Sequence, residues 1–177
     1  MFEKIRKMKN QKGFTLVELI VVLVILAILA ALLVPALTGY IDKANKEKVI
    51  ATTRMVVMAA QTEASEKYGL KAEGKLTEAK LLKGADAALP TGVDKAATKE
   101  VSDNIDIKVI AKLAEVAKDN AAKTDIDFVN GVTGVYVNIG TDGAVKTVVV
   151  TQSGFKCTYN VTPETGKDKY EVVPITG

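Results

Sequence analysis

Side chains suited to catalysis or metal binding are scarce in this sequence of 177 residues. Histidine is absent, and Cys157 is the one cysteine. These two facts remove His-dependent triads, Cys–His nucleophile pairs, His/Cys zinc sites and any intrachain disulfide. Cys157 lies in a stretch rich in valine, threonine and tyrosine, where a small buried side chain is expected. We therefore predict that the protein is not an enzyme and has no cofactor and no metal site.

Acidic residues and glycines give only weak signals of ligand binding. Isolated or loosely paired aspartates occur in the second half of the chain, at Asp103, Asp106, Asp125, Asp127 and Asp142. Aspartate is common at helix caps and turns, and no EF-hand spacing is present. Two Gly-x-x-Gly stretches lack the following helix and Lys-Ser/Thr of a phosphate-binding loop. We interpret these residues as structural.

Glu18 is an acidic residue at the start of a long apolar segment, a position that needs a chemical explanation. It is followed by sixteen apolar residues in a row, residues 19–34. Residues 14–37 would form a helix of about 36 Å, which is enough to cross a bilayer core of about 30 Å. An acidic side chain in such a segment costs about 3 kcal/mol or more unless it has a partner. A partner for Glu18 is therefore expected.

The basic residues that precede this segment predict its orientation. Residues 1–13 hold five basic side chains and one acidic one, so the net charge of +3 becomes −1 for the rest of the chain. A short basic arm before an apolar helix predicts a cytoplasmic N-terminus and a translocated C-terminus. Beyond residue 13 the only arginine is Arg54, which argues against a nucleic-acid partner.

Three interpretations of the first forty residues compete. A cleaved secretory signal has an apolar core of about 7–15 residues before a small-x-small site, whereas this core is longer. A plain membrane anchor explains the length and the charges but not Glu18. The third interpretation rests on residues 12–19, Lys-Gly-Phe-Thr-Leu-Val-Glu-Leu. This stretch resembles the class III signal of type IV prepilins and of their relatives, the pseudopilins.

The resemblance implies a processing site and an assembly contact. A membrane aspartyl peptidase would cut between Gly13 and Phe14 and would N-methylate the new Phe14 amine. The Glu18 carboxylate would then accept a hydrogen bond from the ammonium group of Phe14 on a neighbouring subunit. Before cleavage the Phe14 nitrogen is an amide, so assembly would wait for processing. Pro35 and Gly39 lie where the family has helix-weakening residues, and we expect them to let the helix bend or stretch.

The function implied is structural. The chain would be a subunit of a type IV pilus, held in the cell membrane before assembly and in an extracellular filament afterwards. Its partners would be copies of itself, the prepilin peptidase and N-methyltransferase, an inner-membrane platform protein and an assembly ATPase. The alternatives are a pseudopilin of a type II secretion or competence system, or a minor pilin or adhesin. Many Gram-negative pilins close a C-terminal loop with a disulfide, which this chain cannot form. In this respect it resembles Gram-positive, clostridial-like pilins or a pseudopilin.

An α+β fold is predicted, with a long N-terminal helical spine packed against a C-terminal antiparallel sheet of three or four strands. The spine has an apolar half and an amphipathic half that ends near Gly69. We predict a leader (1–13), a membrane or filament-core helix (14–37) and a globular headgroup (38–177). The headgroup would comprise the rest of the helix (38–69), a variable region (70–125) and the sheet (126–177).

Shorter elements follow from local patterns. A change of composition predicts strands over 134–139, 144–151, 155–161 and 169–173, separated by turn residues. Over residues 155–161 apolar and polar side chains alternate, as expected for a strand with one buried face. A short helix is expected over 77–82. A second helix, through Ile107 to Val116, would be capped by Ser102 or Asn104.

Overall fold

The computed structural model describes residues 13–70, 76–84, 88–91, 93–99, 101–102, 105–118 and 126–175. Contacts within the chain divide it into two compact units, Met1–Asp42 and Lys43–Gly177. The first helix, α1 (Leu16–Leu70), has 55 residues and contributes to both units.

The first unit consists, in its described part, of the apolar start of α1. Every large apolar side chain that is described between residues 14 and 41 is at least half exposed. Among the described residues, α1 is the one helix long and apolar enough to cross a membrane, and an 18-residue stretch of it has a mean hydropathy of 3.3. A helix that is apolar on all sides needs lipid or other helices around it. The described residues of the single chain do not provide that cover.

The second unit contains the remainder of α1 and all later elements. The described strands are β1 (Ala79–Gly84), β2 (Val101–Ser102), β3 (Ile105–Asp106), β4 (Ala117–Lys118), β5 (Asp127–Phe128), β6 (Val132–Ile139), β7 (Val145–Gln152), β8 (Phe155–Asn160) and β9 (Tyr170–Pro174). A short helix, α2 (Ile107–Leu113), lies between β3 and β4. Five strands form an antiparallel sheet in the order β1-β6-β7-β8-β9, and β2–β3 and β4–β5 form separate pairs.

The core lies between the later part of α1 and one face of this sheet. Val56 and Ala60 of α1 are fully buried in the same cluster as Val135 of β6 and Val148 of β7. Alanines at the contact leave room for the helix to approach the sheet closely. In β8 the side chain of Cys157 is buried in this cluster, as the period of two predicts for a strand with one covered face.

The predicted fold class is confirmed, because a long helix is followed by a C-terminal antiparallel sheet. The four predicted strands correspond to β6, β7, β8 and β9. Ser153 and Gly154 join β7 to β8 with φ angles of 51° and 81°, which a two-residue type I′ turn requires.

The prediction of a short helix over residues 77–82 was wrong. Most of this segment belongs to β1 (Ala79–Gly84), whose six residues pair with β6. As a strand it buries Leu81 in the core beside α1, while Leu82 lies in a smaller cluster with Tyr136 and Val149. Burial on both faces of the sheet outweighs the helix propensity of its Ala, Lys and Leu residues.

The second helix is present as α2, but it ends at Leu113, before the predicted Val116, and its cap differs from both predicted residues. Asp106 is the N-cap, and its Oδ1 accepts a hydrogen bond of 2.8 Å from the backbone N–H of Lys108. Ser102 lies in β2 instead. Asn104 is outside the described residues.

Candidate functional site

The start of α1 brings Thr15 and Glu18 together. The backbone N–H and the Oγ1 hydroxyl of Thr15 both donate to Glu18 Oε2, at 2.7 Å each. The backbone N–H of Glu18 donates in turn to Thr15 Oγ1 at 3.2 Å. This reciprocal arrangement is a capping box, in which two otherwise unpaired donors at a helix N-terminus are satisfied. The carboxylate also lies at the positive end of the helix dipole.

Thr15 is the residue that the sequence analysis missed. Its signal was present, because Thr-x-x-Glu before an apolar run is the sequence pattern of a capping box. The box explains part of the tolerance for Glu18 without a second molecule. It does not neutralise the carboxylate, since its donors are uncharged. All of its bonds to the side chain use Oε2, so Oε1 can still accept a hydrogen bond.

Gly13 and Phe14 lie immediately before the helix, in a segment without regular secondary structure. The Phe14 residue is 81% exposed, and apart from the chain neighbours of Gly13 no described residue lies within 4 Å of the position that a Cβ on Gly13 would occupy. The described residues therefore leave the peptide bond between them uncovered. The structure thus brings Phe14 and Glu18 to the same helix end.

Pro35 and Gly39 both lie inside α1. Proline has no N–H, so the helical hydrogen bond to the carbonyl four residues earlier is lost at Pro35. The Pro35 carbonyl accepts a hydrogen bond of 2.9 Å from Thr38 Oγ1. Apart from the adjacent helix backbone, no described part of the chain lies within 4 Å of a Cβ placed on Gly39, so the described packing does not require glycine there.

The remaining candidate groups have structural roles where they are described. Burial raises the pKa of the Cys157 thiol, a shift reduced by a hydrogen bond with Thr53 and by the charge of Arg54. Asp142 accepts a bond of 2.6 Å from Lys146 Nζ, which holds the pKa of Asp142 below its usual value. Asp103 and Asp125 are outside the described residues. In the part of the chain that is described, no three His, Cys, Asp or Glu side chains are grouped to hold a metal ion.

Residues 8–34 match the family model of the prokaryotic N-terminal methylation motif. This motif is the class III signal of type IV pilins and pseudopilins, so the resemblance drawn from residues 12–19 is confirmed. The matched segment includes both the Gly13–Phe14 bond and the capping box. Comparison with curated proteins and with solved structures gives no match for this chain.

Proposed function

We propose that this protein is a structural subunit of a type IV pilus, polymerised through α1 after leader cleavage and N-methylation of Phe14. The observation that supports this proposal most directly is the methylation motif at residues 8–34. It is joined to a helix whose described large apolar side chains between residues 14 and 41 are at least half exposed in the single chain. A filament of parallel helices would cover them.

The assembly step would depend on a charge created by proteolysis. Cleavage between Gly13 and Phe14 turns the Phe14 nitrogen from an amide into an ammonium group. This group would donate a hydrogen bond to the Glu18 carboxylate of an adjacent subunit. A hydrogen bond between two charged groups is shorter and about twice as strong as a neutral one. The capping box holds the carboxylate at the helix start and leaves Oε1 for this contact.

Such a pair would set the axial register of neighbouring helices. Within an apolar filament core, a shift along the axis would leave both charges buried and unpaired, which costs several kcal/mol. The pair therefore contributes more to the choice of one packing arrangement than to affinity. A precursor that keeps its leader lacks the ammonium group and would remain in the membrane.

The partners of this function follow from the motif. Processing by a prepilin peptidase and assembly within a type IV filament system are implied by it. We propose that a platform protein and an assembly ATPase extract the processed subunit from the membrane. The apolar helix and the signal together support membrane insertion before assembly.

The mass of the subunit in isolated filaments tests the proposal. We expect long filaments outside the cell, built from a chain that begins at Phe14 and carries one N-terminal methyl group. A subunit that begins at Met1, or an unmethylated Phe14, would contradict the processing step. Short polymers confined to the cell envelope would favour a pseudopilin, which carries the same motif.

A further inference from the structure

The headgroup has an apolar groove that no described residue of the single chain covers. Its lining residues all belong to the second unit: Met55, Met58, Ala59, Thr62, Leu113, Ala114 and Glu115. We call it the Met58 groove. It has a volume of about 340 Å³ and lies between α1 and the end of α2.

The residues that line this groove are of a kind that proteins usually bury. Met58 is 62% exposed and Leu113 is 53% exposed, while Ala114 beneath them is only 2% exposed. The position of Leu113 is fixed, because Ile107 and Ile110 anchor α2 in the core. Methionine is flexible and polarizable, so such a surface adapts to a neighbour of irregular shape. Thr62 and Glu115 add polar groups at the edge.

We propose that the Met58 groove is a headgroup contact between neighbouring copies of this chain in the filament. The inference rests on the proposed function, which places copies side by side and makes a second copy the most abundant neighbour. Met55 and Met58 also belong to α1, the helix whose earlier residues carry the methylation motif.

The small size of the groove favours this occupant over a free partner. A stable interface between free proteins uses about 20–30 residues on each side, far more than the groove offers. Subunits already joined through their N-terminal helices meet at a high effective concentration, so a weak patch is sufficient. An open filament needs a different surface on each side of every contact. The groove would therefore receive a different face of the next headgroup.

Cysteine labelling of the full-length chain tests this contact. Met58→Cys and Leu113→Cys each add one thiol to a chain whose own Cys157 is fully buried. We expect a hydrophilic maleimide to label both variants in the membrane pool and to lose most of that labelling in filaments. Thr165→Cys, at an exposed loop position, is the control and should react in both pools.

Two labelling results would overturn the proposal. Equal labelling in filaments and in the membrane pool would show that the groove stays open in the polymer. Protection already present in the membrane pool would show that lipid or another protein covers it. Wild-type chains that form no filaments would instead contradict the proposed function itself, so the two failures can be told apart.

A charge substitution provides a second, independent measurement. Met58→Asp should give processed, membrane-located subunits with Cys157 still protected, but a large loss of filaments or of their resistance to shearing. Met58→Leu keeps the apolar surface and should assemble like the wild type. Met58→Asp filaments as abundant and as resistant as wild-type filaments would refute the contact.

Discussion

Glu18 combines a role within its own helix with a proposed role between subunits, and chemistry can separate the two. Glutamine retains an oxygen that can accept the hydrogen bonds of a capping box, but it carries no charge. Valine at position 15 removes the hydroxyl of the box and leaves the carboxylate in place. The two substitutions therefore test the charge and the cap one at a time.

We predict that Glu18→Gln abolishes filament formation although the variant still inserts in the membrane. Thr15→Val should cost about 1 kcal/mol of helix stability, the usual value for a lost N-cap, and should still yield filaments. Filament yield by electron microscopy and subunit level in the membrane fraction measure these outcomes. If both variants assembled equally well, Glu18 would be only a capping residue and the intersubunit pair would be excluded.

The burial of Cys157 leads to a prediction about the alkylation of its thiol and about pH. Burial raises the thiol pKa, so less of the reactive thiolate is present at pH 8 than in a free cysteine. The native protein should react slowly with iodoacetamide at pH 8 and rapidly in urea, as followed by mass spectrometry. The Cys157 thiol keeps its proton to higher pH in the folded state than in the unfolded state. Its contribution to stability is therefore present below the pKa of the thiol in the unfolded state and is lost as pH rises through its pKa in the folded state. Rapid alkylation of the native chain would contradict the burial.

At the level of elements, the side-chain amide of Gln61 links α1 to the β6–β7 turn. Gln61 Nε2 donates to the Gly143 carbonyl and Gln61 Oε1 accepts from the Val145 N–H, both at 3.1 Å. Tyr68, further along α1, lies against Gly143, where an added Cβ would be 3.1 Å from the Tyr68 ring. The turn therefore fits against the helix through backbone groups that only a small residue leaves accessible.

Replacing Gln61 by leucine should destabilise the headgroup. The Val145 N–H, in a residue that is 4% exposed, loses its partner, which costs about 1–3 kcal/mol. We expect the midpoint of urea unfolding, measured by pulsed alkylation of Cys157, to fall. The slope of the unfolding free energy against urea concentration should change little. Ser65→Ala is the matched control, because Ser65 Oγ accepts only an exposed bond from Gln61 and its loss should cost under about 0.5 kcal/mol. A midpoint that is unchanged in Gln61→Leu would show that the turn is held by other contacts.

The sequence predicts elements well where one face of a regular structure is covered. In β8 the alternation around Cys157 is clear, and Gly154 supplies the residue that the second left-handed position of the turn favours. β1 was misjudged because both Leu81 and Leu82 are buried, one on each face of the sheet, so no period of two is visible. Its strand conformation depends on pairing with β6, a contact about fifty residues away in the chain that local propensity does not contain.

On the scale of the whole molecule, the two units differ in what stabilises them. The second unit has its own buried core, whereas the described large apolar side chains of the first unit are at least half exposed. The headgroup can therefore be folded while the helix still depends on its surroundings. Exchange of lipid for neighbouring helices is the change that assembly would bring, and removal of the leader would permit it.

Blocking that removal should hold the chain in the membrane. In Gly13→Leu a branched side chain stands next to the scissile bond, where the wild type has open space. We expect full-length chains that begin at Met1, are embedded in the membrane and form no filaments, because the Phe14 nitrogen stays an amide. Gln11→Ala, in the leader but two residues from the cut, should be processed normally. Mass spectrometry of the membrane fraction and electron microscopy of the medium decide the outcome. Filaments built from uncleaved Gly13→Leu chains would show that the ammonium group is not needed, and the contact between Phe14 and Glu18 would then have no part in assembly.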